Sequence, residues 1–284
     1  MPRRRRRLFR AAAARLGLPL ALGICLLGLV APWVAPHGPD EMHPGRELRP
    51  PSRQYLFGSD EFGRDILSRV LFGARISLGV GLLSVAIGVL AGGSLGLAAG
   101  FWGGAVETVA TRLADGLLAF PAIILGIAVA AVLGPGAMNA AIAVGIVTVP
   151  TFTRLAWSSA LVEKEKEYVL GAECLGASDP RLVGRHILPN VLPPLLVQAT
   201  IASAQAILLE ASLSFLGLGA QPPQPSWGAM LNDARPFLRE APWYGVFPGL
   251  ALSALLLGVN LTADAIRDAL DPRLAGGAAP SRSA

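Results

Sequence analysis

Among its 284 residues this chain has little with which to do chemistry. It has two lysines, Lys164 and Lys166, and neither follows a glycine, so no G-x-x-x-x-G-K-[ST] loop exists to cradle ATP phosphates and a Schiff-base enzyme has little to draw on. Three scattered histidines and the lack of HExxH or CxxC argue against an intramembrane hydrolase or metalloenzyme. The two cysteines, Cys25 in an apolar run and Cys174 in a polar one, fall at different depths, so no disulfide framework is expected. Charge is also scarce. Charged residues are 15% of the chain, against about 25% in soluble domains.

Apolar residues make up 53% of the chain, and mean hydropathy is +0.54. Several uncharged runs reach the roughly 20 residues that a helix needs to cross a bilayer. They leave no room for a soluble domain. The class is therefore all-α and polytopic, with spans at about 16–35, 76–100, 108–133, 140–157, 191–218 and 245–263. Before them stands a basic arm, residues 1–15, with Arg3 to Arg7, Arg10 and Arg15. Such an arm suits nucleic acid or the start of a signal peptide. The run behind it lacks a clean A-x-A site, so an uncleaved first helix is the expectation, with the arm held in the cytoplasm. We read the net charge of +5 as membrane orientation, with no nucleic acid as partner. Six spans then put both termini inside, including a tail at 268–284.

Residues 36–75 read as an external segment. In FGSDEFGRDILSRVLFGARISL, positions 57–78, Ser59 or Asp60 is placed to cap a short interfacial helix with Ile66, Leu67, Val70 and Leu71 on its apolar side. His37 and His43 flank Asp40 and Glu41, but a proline-rich loop holds no rigid ligand face. In the second span Ser84, Gly88, Gly92, Gly96 and Gly100 recur every fourth residue, spacing that lets helices approach closely, within this bundle or against a second subunit. Residues 101–107 read as a short turn. Arg112 and Asp115 are one helical turn apart and suited to pair, and Pro121 is placed to kink the third span. Glu210, deep in the fifth, must face protein or water. It suits a bond to a neighbouring helix or a pathway. The loop 219–243 reads as external, with Trp227, Trp243 and Tyr244 as interface anchors.

The segment 158–190 organises the rest. Within it, EKEKEYVLGAECLGASDPRLVGRHILP (163–189) is the longest polar stretch of the second half. It reads as one helix over Glu163 to Leu175, with Val169, Ala172 and Leu175 on one face, closed by Gly176. A second helix starts at Asp179 as N-cap with Pro180 in its first turn, and Pro189 stops it. A bent helical pair outside the bilayer suits a groove on a soluble partner. A solvated loop joining two spans is the plainer alternative.

Gly176, nine residues and then HILP resembles the cytoplasmic "EAA" loop of ABC-importer permeases, and LGASDPRLVGRHILPNVLPPLLVQAT resembles their dipeptide/oligopeptide/nickel branch. Gly58, Asp60, Gly63, Arg64, Asp65, Ser68 and Arg69 match the segment before that branch's core domain. The core is then 76–267. The resemblance implies a type I importer permease with six transmembrane helices in the bacterial inner membrane. It also implies a sister permease forming a heterodimer, two cytoplasmic ATPase subunits that carry ATP and Mg, an external solute-binding protein, and no cofactor or metal on this chain. ATPase docking would fall to Glu167, Ala172, Leu175, Gly176, Ala177, Ser178, Asp179, Pro180 and Arg181. Where the E-A-A itself would stand the chain has Leu170, Gly171 and Ala172, so the acidic contact is either missing or supplied by a neighbour such as Glu167 or Glu173, and that glutamate's role is not carried over. Di- and oligopeptides are the implied cargo, with nickel, glutathione or opines as alternatives. A secondary transporter would show internal repeats and more intramembrane charge than Glu210 and Arg112/Asp115. A scaffold would not need so long a docking element.

Overall fold

A computed structural model of the chain describes the backbone of residues 3–270 and the side chains of 16–267. The basic arm's side chains and the tail beyond 270, Arg273 included, lie outside these. The described residues hold no sheet, only an isolated bridge between Ser59 and Asp65. The helices are α1 (Arg3–Val34), α2 (Ile66–Trp102), α3 (Gly104–Leu118), α4 (Ala122–Leu133), α5 (Ala137–Lys164), α6 (Glu167–Cys174), α7 (Asp179–Phe215), α8 (Trp227–Ala234) and α9 (Pro242–Leu270). Five are long and apolar enough to cross a membrane, and α3 with α4 would make a sixth crossing.

That third crossing is broken rather than kinked. α3 and α4 meet at 99°. Pro121 is extended (φ −55°, ψ 131°), because its ring has no N–H to continue α3 and its fixed φ suits a fresh helical start. α2 runs without interruption through the stretch read above as an interfacial helix. Its cap is Asp65, whose carboxylate accepts the Ser68 N–H at 3.0 Å, so neither Ser59 nor Asp60 starts a helix. Those two are instead buried in the turn ahead of it, where Asp60 accepts Arg64 Nε at 2.6 Å. The turn expected at 101–107 shrinks to Gly103, since Gly103 and Gly104 both take positive φ and reverse the chain at once.

The spans pack through small residues, since lipid gives helices no hydrophobic reason to associate. A Cβ at Gly88, Gly92 or Gly96 would overlap α5 at Thr148, Val149 or Thr153, and one at Gly100 would lie 2.7 Å from Ala160 Cβ. Ser84 continues the row by donating to the Ala141 carbonyl at 3.0 Å. The stripe is thus taken up by α5 of the same chain. Gly28 of α1 sits on Ala74 of α2, while Gly17 sits on Leu261 of α9. Hence α1 and α2 are antiparallel, and the end of α2 lies on the side where α1 begins.

Two stretches widen into π-helix, Gly88–Gly92 within α2 and Leu182–Ile187 within α7. The second explains why Pro189 does not stop the chain. The wide turn falls just before it, at the carbonyls its ring would meet, and the helix runs on through Pro193 and Pro194 to Phe215. The loop 219–243 also folds. Ser226 caps α8 by accepting the Ala229 N–H at 3.2 Å. Trp227 and Tyr244, read above as interface anchors, are 1% and 0% exposed: they fill a core with Ile66, Met230 and Leu255, and Trp227 Nε1 donates to the Val70 carbonyl at 2.9 Å.

Candidate functional site

α5 ends at Lys164, and the chain breaks at Lys166, which is extended (φ −72°, ψ 142°), so the single helix expected over Glu163 to Leu175 is two. The break turns Val169 into the core, where it is 1% exposed. α6 closes in a Schellman motif: Gly176 N–H donates to the Glu173 carbonyl at 2.8 Å and Ala177 N–H to that of Ala172 at 3.1 Å. Gly176 has φ 81°, a conformation that costs an L-residue about 1–2 kcal/mol. Leu175 does not share the buried face of Val169. It lies past the last helical turn and is 90% exposed, a large apolar side chain at the tip of a polar corner.

Ser178, extended, holds the N-cap position, and its carbonyl accepts the N–H groups of Arg181 and Leu182, both at 2.9 Å. Asp179 is therefore the first helical residue rather than the cap. Its Oδ2 accepts Trp102 Nε1–H at 3.2 Å, which ties the corner to the end of α2. On the other flank Lys164 Nζ donates to the Phe101 carbonyl at 2.7 Å. Glu163 accepts the Tyr168 hydroxyl and pairs with Lys166 at 2.7 Å. Asn190 Nδ2 donates to Tyr168 Oη at 3.0 Å. Leu182 and Ile187 are buried beneath. Glu167, Pro180 and Arg181 are exposed with the tip, and Ala172 and Ala177 are half-buried. The corner is a wedge, braced by these bonds, on the side where α2 ends.

The polar residues of the spans separate. Asp115 pairs with Arg154 of α5, whose Nε lies 3.0 Å from Oδ1, rather than with Arg112 on its own helix. The 99° break rotates α3 so that α5 is the nearer neighbour. Glu210 is 1% exposed between α7 and α2. Its Oε1 accepts the Ser214 hydroxyl at 2.7 Å, and its Oε2 and the buried Ser77 hydroxyl lack a hydrogen-bond partner among the described residues.

Between the α3–α4 bend, α5 and α7 lies a cavity of about 470 Å³. Reasoning that weighs only intramembrane charge passes over the residues that give it polarity, Gln198, Gln205, Ser212, Thr148 and Thr151. The signal was available: two amides seven residues apart in an apolar run.

A bundle of five full crossings and one broken one, with a wedge at one end, is the architecture of an ABC-importer permease. The inward-facing methionine ABC transporter structure MetNI superposes with a TM-score of 0.58 over 72% of this chain and 98% of its own, at 18% identity, and so shares the fold. Residues 70–276 match the family described as binding-protein-dependent transport system inner membrane component, and residues 3–51 the N-terminal transmembrane domain of oligopeptide transport permease C. The chain belongs to this family of multi-pass inner-membrane permeases, which are subunits of ATP-driven importers and leave ATP hydrolysis to partner subunits. Among its relatives are a dipeptide transport system permease of Alkalihalophilus pseudofirmus (44% identical, over 92% of this chain and 86% of the relative) and a probable D,D-dipeptide transport system permease of Escherichia coli (43%, over 88% and 84%). A glutathione transport system permease of Pectobacterium atrosepticum is 46% identical over 79% of this chain and 74% of its own length.

Proposed function

We propose that the chain is one of two different permeases in an importer of di- and oligopeptides, with both termini in the cytoplasm, where its 163–189 wedge is the seat of an ATPase subunit. Two such ATPases carry ATP and Mg, and a solute-binding protein delivers cargo to the opposite face around α8. The observation that carries this is the tip itself. An apolar Leu175, 90% exposed on a corner whose flanks are buried and hydrogen-bonded, suits a groove on another protein. Orientation follows from the arginines of residues 3–7, on the side where α1 begins and α2 ends. Closure of the ATPases around ATP would push the wedge, and α5, which runs into it, and α7, which runs out of it, would carry that push into the bundle.

The peptide assignment follows the relatives' names. Glutathione, itself a modified tripeptide, is the second reading on the strength of the Pectobacterium relative. The test is purification of the tagged full chain from its host, with identification of what accompanies it. Two ATPase chains and a second permease are expected, with ATP-dependent uptake of dialanine into vesicles in the presence of the binding protein. Uptake that needs only an ion gradient and no ATPase would overturn the reading.

A further inference from the structure

We infer that the cavity between the α3–α4 bend, α5 and α7 is a stretch of the cargo passage, and that it recognises the peptide bond rather than side chains or charged termini. This rests on the importer reading above.

Several polar groups of this cavity lack partners among the described residues. Gln198 and Gln205 lie on one face of α7 two turns apart, and Ser212 stands two turns further on. Thr148 and Thr151 face them from α5. The Ser212 and Thr148 hydroxyls donate to carbonyls of their own helices, at 2.8 and 2.7 Å, which leaves oxygen lone pairs for the cavity. Among the described residues the amides of Gln198 and Gln205 and the hydroxyl of Thr151 have no hydrogen-bond partner, and Gln205 and Thr151 are exposed. Unpaired amides facing hydrocarbon would cost several kcal/mol each. They belong against water or a polar guest.

The backbone makes the same demand at the same place. The helical ladder stops at Phe120 and Pro121, between Leu118 and Ala122, all of which line the cavity, Pro121 aside. Non-helical backbone at membrane depth persists only where protein covers it or where it borders a water-filled space. Side chain and backbone thus point independently to a hydrated cavity.

Its chemistry selects the guest. A primary amide carries donors and an acceptor, the complement of a peptide C=O and N–H. None of the described residues lining the cavity is charged, so no fixed charge traps an ammonium or carboxylate terminus. A passage must bind well enough to admit a solute and weakly enough to release it, and neutral, individually modest hydrogen bonds meet both needs. The apolar remainder, Leu117, Phe120, Ile123 and Leu208 among it, tolerates diverse side chains without bonding to any.

The test uses the full transporter with its partner subunits. In a C25S/C174S background, Gln205→Cys is expected to react with a water-soluble maleimide, and dialanine transport in the presence of ATP to slow that reaction several-fold. Q198L/Q205L is expected to assemble and hydrolyse ATP as wild type does while dialanine uptake falls about tenfold; Q198N/Q205N is expected to keep a measurable part of it. A Gln205→Cys that is inert, or that cross-links only to the sister permease, would overturn the inference, as would wild-type uptake by Q198L/Q205L. Failure of the importer reading looks different: the wild-type complex itself would take up no dialanine, whereas maleimide labelling of Gln205→Cys would still report whether the cavity is wet.

Discussion

The phenol of Tyr168 donates to the carboxylate of Glu163 across the break between α5 and α6, and accepts in turn from Asn190, just past the widened turn of the long α7. One hydroxyl therefore joins the three elements that meet at the wedge. Tyr168→Phe removes both bonds, each worth about 1 kcal/mol, and leaves the ring in place. Uptake is expected to fall several-fold with ATPase subunits still bound, and ATP hydrolysis per peptide imported to rise. Tight coupling in the variant would show that the hydroxyl does not index the corner.

Desolvation, and then the Glu163 hydrogen bond, push this phenol up to about 12. The folded value lies above the unfolded one near ~10. The stabilisation is thus complete below ~10 and lost as pH rises through about 12. Subtracting the ultraviolet titration of Tyr168→Phe from that of wild type is expected to isolate one late-titrating tyrosine.

At the wedge tip, Gly176→Val forces a β-branched residue to φ 81°, and Asp179→Lys removes the acceptor of Trp102 Nε1. Both are expected to reduce ATPase co-purification and uptake, Gly176→Val the more. Leu175→Asp, which touches nothing within the chain that needs it, is expected to leave thermal stability unchanged and to abolish docking. Normal association in all three would refute the seat.

Where α2 crosses α5, Gly96→Val would drive a side chain into the Thr153 carbonyl, and backbone cannot step aside as a flexible side chain does. Overpacking of this kind costs about 1–3 kcal/mol. The expected reading is a lower Tm in detergent by several degrees. Asp115→Asn would leave Arg154 without its carboxylate partner between two spans, so it too is expected to lower Tm. Glu210 has hydroxyl neighbours and no salt-bridge partner among the described residues, so Glu210→Gln is expected to fold and transport, and Glu210→Ala to lose stability.

On the opposite face, burial raises Glu61, offset in part by its approach to Tyr244 and Arg64. A carboxyl raised by folding penalises the ionised protein. The penalty is full above the folded value, fades as pH falls, and is gone below the unfolded ~4.3. Wild type should gain stability relative to Glu61→Gln as pH drops through that window, read as the difference of their Tm values.

The class of fold was legible because lipid demands apolar runs of fixed length, and the glycine stop at 176 because positive φ has few occupants. What escaped are matters of continuity. Ser59 and Asp60 look like caps as much as Asp65 does, and only the buried Arg64 pairing decides among them. Pro189 reads as a stop because a sequence does not announce a π-turn. Trp227 and Tyr244 read as lipid anchors because aromatic composition alone cannot tell a protein core from an interface. The cavity's amides are neutral, and neutrality hides them from any search for charge.

The widened turn at Leu182–Ile187 sets the phase between the wedge and the stretch of α7 that carries Gln198 and Gln205. It adds one residue to the lever joining them, so excision of the exposed Gly184 would restore ordinary pitch and swing everything ahead of it by about 100° and ~1.5 Å. The shaft would still stand in the membrane, but its foot would be turned away from the ATPase proposed to seat it.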